Sequence, residues 1–162
     1  MKKIISLFIA MSFFSCNDGD FDTPEFEFED TIYSCFDYVL YVTNSNHTEA
    51  MAITLIDGQL GTEIGEKAYP VSSSLEIVYR LFDSGIGSDY FCQLIPATEP
   101  KVLTEMNAES AMINIITSGI YDKDNVLTGY SYEISFSDLL FMDGSDRIFY
   151  ESFPFGTFTI NL

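Results

Sequence analysis

The chain has no tryptophan, one histidine and three cysteines in 162 residues, and seven basic side chains stand against twenty-five acidic ones. Each shortage excludes something. A formal net charge of −18 leaves no basic face for a phosphate backbone, so no nucleic-acid partner is expected. The same lack of Lys and Arg removes peripheral electrostatic attachment to anionic lipid. The lone histidine, His47, stands in a polar stretch between Asn46 and Thr48 and reads as an exposed loop residue. No G-x-S-x-G, H-E-x-x-H, phosphate-binding glycine loop or dinucleotide fingerprint accompanies it. No catalytic residue is singled out, and enzymatic activity is not the expectation. Beyond residue 16 no run of eighteen apolar residues occurs, so the remainder is not expected to span a bilayer as helices.

What is present begins at the N-terminus. MKKIISLFIAMSFFSC has a short basic head, Lys2 and Lys3, an apolar run from Ile4 to Phe14, and Ser15 directly before Cys16. A basic head followed by an apolar run is the layout of an export signal. Its ending at a cysteine resembles the lipobox of bacterial lipoproteins, in which the cysteine is lipidated and becomes the first mature residue. Phe14 is bulkier than the usual residue there, and a plain export signal with a chance cysteine is the competing reading. Asn17 to Asp30, NDGDFDTPEFEFED, follows as an acidic tether. Head, FFSC junction and acidic follow-on together are similar to small lipoproteins of the Bacteroidetes, or flavobacterial, type. That resemblance covers about the first thirty residues and implies lipid on Cys16, attachment to the outer membrane and cell-surface exposure. It names a class of export signal and no activity.

The expected organisation is a signal peptide over 1–15, a lipidated cysteine and acidic tether with a possible edge strand over 16–30, and a single domain over 31–162. Removal of the leader leaves Cys35 and Cys92. In an oxidising compartment the pair allows one disulfide; two separate buried thiols are the alternative.

Along the domain the dominant signal is period-two alternation. Phe36–Thr43 is aromatic and β-branched on both faces and reads as a central strand. Ala50–Ile56 and Ser74–Phe82 read as further strands, with a polar, glycine-bearing loop over 58–70 between them. Asp89–Ile95 reads as a short strand carrying Cys92. Residues 101–108 are ambiguous between helix and strand, a turn is expected over 107–110, and Ala111–Ser118 is a strand. In Tyr130–Ser137, YSYEISFS, aromatic and aliphatic residues alternate with Ser and Glu, the signature of a half-solvated antiparallel strand. Arg147–Phe153 and Gly156–Leu162 complete the set. Seven to nine short strands with little helix predict an all-β protein, an antiparallel β-sandwich, with a small barrel as the alternative.

Candidate chemistry is sparse. Asp122 and Asp124 in one turn, and Asp143 and Asp146 in another, offer the hard oxygen ligands that calcium takes, although Asp also populates turns for backbone reasons. The irregular FYESFPFGTF stretch, broken by Pro154 and Gly156, makes Phe153, Phe155 and Phe158 candidates for an exposed apolar contact patch. Most of the tyrosines fall on strands and are expected in the core. The sequence therefore points to a lipid-anchored envelope protein with a non-enzymatic accessory, binding or structural role, its partner an envelope protein or glycan. A calcium-dependent carbohydrate-binding or adhesion module, or a hydrolase built on paired carboxylates, are the alternatives.

Overall fold

The computed structural model describes residues 26–162 apart from 37, 57, 94, 96 and 145. The expected signal peptide, Cys16 and the expected tether as far as residue 25 lie outside the described residues. Among the described residues eight strands form: β1 (Tyr33–Cys35), β2 (Val39–Thr43), β3 (Glu49–Thr54), β4 (Gly65–Pro70), β5 (Glu76–Phe82), β6 (Val102–Tyr121), β7 (Leu127–Asp143) and β8 (Asp146–Asn161). All pairings are antiparallel. The protein is thus all-β, and its two halves belong to one curled sheet, an open half-barrel with the order β1-β2-β3-β5-β6-β7-β8.

The curl centres on β6. Its first half, Val102–Asn107, pairs with β5, and its second, Met112–Thr117, pairs with β4 on the same side. Between them the register against β7 shifts twice, at Ala108/Ser110 and Ser110/Met112. Bulges of this kind bend a strand and increase its twist. The turn expected over 107–110 is therefore a bend inside one continuous strand.

The concave side buries the core. Leu40, Met51, Ile53, Ile77, Ile113, Ile115, Tyr132, Ile134, Phe136, Leu139 and Phe141 are all inaccessible or nearly so. In β7 the alternation read from the sequence holds, with Tyr132, Ile134 and Phe136 inward and Ser131, Glu133 and Ser135 on the wetter side. At Asp138, where φ is +53°, the phase slips by one residue, so that Leu139 and Phe141 point inward in turn.

Two segments outside the ladders complete the packing. Phe26–Ile32, expected to include an edge strand, has no strand pairing; the Glu29 N–H donates to the Thr43 carbonyl at 2.9 Å. Phe26 stacks on Tyr79 at 4.5 Å and lies 5.5 Å from Tyr150, while Ile32 reaches Gly156 of β8. The segment thus runs from the β2 side of the sheet to β8, filling the seam of the half-barrel with aromatic side chains.

The second segment is a strap, formed by the described residues of 83–101, lying on the outer face of β2, β3 and β5. Ile86 and Tyr90 pack on Phe82 and Ala50 there. The strand expected at Asp89–Ile95 is instead a single 3-10 turn, Tyr90–Cys92. The cause is packing. Tyr90 meets Phe82 and the adjacent Phe91 meets Tyr41, so both consecutive rings turn towards the sheet, which a strand's alternation forbids. Cys92 is disulfide-bonded to Cys35, with Cα atoms 4.9 Å apart, and ties the strap to β1.

Candidate functional site

Beta strands β4 and β5 diverge along β6, and a cavity of about 340 Å³ opens in the fork between them. The cause lies in the ladders. β5 leaves β6 at Asn107 and β4 joins it at Met112, and between those points the Val71 N–H donates to the Ala111 carbonyl at 3.0 Å. The tight Ser72–Leu75 turn joining β4 to β5 forms the far wall, closed by reciprocal backbone hydrogen bonds of 2.9 and 3.1 Å.

The floor of this cavity is apolar, made by Ile77 from the core and by the half-buried Val71 and Ala108. Ser72, Ser73, Glu76, Asn107 and Glu109 form an exposed polar rim. Among the described residues no Lys, Arg or His lines it. Three glutamates elsewhere are engaged: Glu49 accepts from Tyr79 at 3.0 Å, Glu63 pairs with Lys67 and Glu105 with Arg80, both at 2.7 Å. The side chains of Glu76, Glu109 and Asn107 have no protein hydrogen-bond or ion-pair partner among the described residues. Two carboxylates, an amide and hydroxyl groups around an apolar base suit a ligand with a hydrogen-bonding periphery and a positive centre, and disfavour an anion.

A smaller cavity of about 130 Å³ lies beneath the strap between Tyr33, Tyr41, Thr43, His47 and Ser88. His47 is half-buried rather than exposed, with φ +56°, and its Nδ1 lies 2.9 Å from Thr43 Oγ1. Tyr41 donates to the Ser88 carbonyl and stacks on Tyr33 at 5.1 Å. Burial first, then the neighbouring Tyr33 and Asp89, push the Tyr41 hydroxyl up to about 12. Burial does the same to Tyr150, also to about 12, and burial with the Glu49 hydrogen bond raises Tyr79. These are neutral phenols holding packed segments together.

The residues singled out from sequence are dispersed. Asp122 caps its own hairpin: one carboxylate oxygen accepts the N–H groups of Asp124 and Val126 at 2.9 Å each, and Asn125 occupies the left-handed position at φ +60°. Asp143 pairs with Asp146 at the β7–β8 turn. β7 separates these two turns by its full length, roughly 50 Å along the strand path. Among the described residues no group of three or more His, Cys, Asp or Glu side chains is arranged to hold a metal.

The expected aromatic patch is corrected. Phe153 and Phe155 are 7% and 4% exposed, and Phe158 is half-buried against the same core. Phe153 and Phe155 share a face by plain alternation, and the register shift opposite Ile134/Ser135, with Gly156 at φ +140°, changes the phase so that Phe158 joins them on the core side. Exposed aromatics stand elsewhere: Phe36 and Tyr38, 58% and 46% exposed, stack at 5.9 Å on the β1–β2 turn. Their place in an aromatic run made them read as strand; the turn at residue 36, φ +54°, takes them out of the sheet.

The fork cavity was not visible from sequence, because its walls come from residues 71–77 and 107–109, which only the divergence of two strands brings together. No family model matches this chain, and no curated protein and no solved structure matches it.

Proposed function

We propose that the protein is a lipid-anchored component of the bacterial cell envelope, attached to the outer membrane through Cys16, with a non-enzymatic binding role towards an envelope protein or glycan. The observation that carries the reading is the MKKIISLFIAMSFFSC leader with its terminal cysteine. Two features of the folded part support it. The Cys35–Cys92 bond suits an oxidising compartment. Phe26, Phe28 and Ile32 pack into the body of the protein, so a lipid on Cys16 would be joined to it by residues 17–25, at most about 30 Å when extended. The acidic balance would keep the body soluble beside the membrane.

The test is the intact mass of the membrane-fraction protein beside a Cys16→Ala variant. A diacylated or triacylated chain starting at Cys16, absent from the variant, is expected. A soluble, unlipidated mature chain overturns the anchor. A second reading, a carboxylate-based hydrolase, draws on Glu76 and Glu109 sharing one cavity. Turnover of a glycan that vanishes in both Glu76→Gln and Glu109→Gln would establish it over the binding role.

A further inference from the structure

We propose that the β4–β5 fork cavity binds a compact, hydroxyl-bearing primary amine, the chemistry of an amino sugar; this deepens the binding role proposed above and rests on it. Three properties of the cavity converge on that class. The first is size: about 340 Å³ lies at the lower end of the range for small-molecule sites and suits one compact ring.

The second is the division between floor and rim. Val71, Ile77 and Ala108 offer an apolar base on which the C–H face of a ring can lie. Ser72, Ser73 and Asn107 stand above them with hydroxyl and amide groups, both donors and acceptors, for hydroxyl groups on a ring's edge. A purely apolar ligand would leave this rim unpaired, and a fully polar one would not use the floor.

The third is charge. Glu76 and Glu109 line the cavity from different strands, and among the described residues no basic side chain in the lining neutralises them. An ammonium group presents three N–H donors and a positive charge, which two carboxylates and a neighbouring amide oxygen can accept. An acidic sugar would meet like charge. A neutral sugar would satisfy the hydroxyl positions and leave the carboxylates uncompensated.

The experiment titrates the full chain, produced with its own leader and purified in detergent, with glucosamine, glucose and N-acetylglucosamine, following binding by calorimetry. Glucosamine is expected to bind at least tenfold more tightly than either neutral sugar. The Glu76→Gln/Glu109→Gln double variant should lose that preference with an unchanged unfolding midpoint, since neither side chain has a protein partner among the described residues. The control removes the same charge elsewhere: Glu66→Gln/Glu133→Gln, on exposed residues that flank Ile116 in register, should keep the preference. Equal binding of the three sugars, no binding of glucosamine, or equal loss in both double variants overturns the proposal. A chain that prefers glucosamine but carries no lipid overturns the anchor alone; a lipidated chain without the preference overturns the amine site alone.

Discussion

Phe153 shows how one residue's environment is decided by the backbone around it. Its ring lies parallel to that of Phe136, with centroids 6.0 Å apart, and meets Tyr150 edge-on at 5.4 Å and Phe26 at 6.4 Å. Aromatic contacts of this geometry add to the burial of the ring itself. Truncation to alanine would leave a cavity that surrounding rings cannot fill without moving β8. Phe153→Ala is therefore expected to cost about 3–5 kcal/mol, read from the shift of the urea midpoint at constant slope. A surface aromatic would cost within about 0.5 kcal/mol, so the measurement separates the core position from the exposed one expected from sequence. That expectation failed for a local reason. Pro154 and Gly156 normally mark the end of a strand, yet here they sit on β8, where proline is tolerated at a sheet edge and glycine at a bulge.

At the scale of elements, legibility followed solvation. The Tyr130–Ser137 alternation was readable because one face of β7 is buried and the other wet. β4 was not, because its GEKAYP residues are exposed except for a half-buried Tyr69, so no period appears, and its pairing with β6 alone makes it a strand. β6 was read in pieces because its bulges break the period in the middle of one element. The seam segment was half legible: the alternation of Phe26 and Phe28 with glutamates correctly marked an inward side, but its docking depends on β8, far away in sequence. Gly156 tests that docking. A Cβ there would stand 3.0 Å from Ile32 Cδ1 and 3.1 Å from Cγ1, at a φ of +140° that other residues rarely adopt. Gly156→Ala should cost about 1–3 kcal/mol. Amide exchange should accelerate across 26–32 ahead of the β2–β3 ladder; unchanged exchange and stability would mean that the seam is not held through this contact.

For the molecule as a whole, the sheet separates two bodies of apolar contacts. The concave core joins β2 through β8, whereas the strap builds its contacts on the outer face, from Ala50, Phe82, Ile86 and Tyr90 to Tyr41, Ala52 and Cys35. Neither the strap nor the fork cavity was legible in the sequence, because both arise from where distant strands lie and not from any local period. The strap has one covalent tie to the sheet's edge, and it joins residues 57 apart. Closing a loop of that length restricts the unfolded chain, a contribution of about 2–4 kcal/mol. The other ties are non-covalent: the Ile86 N–H to the His47 carbonyl at 2.9 Å, Tyr41 to the Ser88 carbonyl, and Arg80 over the Phe91 ring at 5.6 Å. The long β6–β7 and β7–β8 ladders share none of them. Reduction should therefore lower global stability by about that amount while acting unevenly. Amide exchange should rise first in residues 83–101 and at β1, with the centres of β6 and β7 keeping their protection until global unfolding. Simultaneous loss of protection in all of these would show that the outer contacts and the concave core form a single cooperative unit, with the strap as much a part of the fold as the sheet it covers.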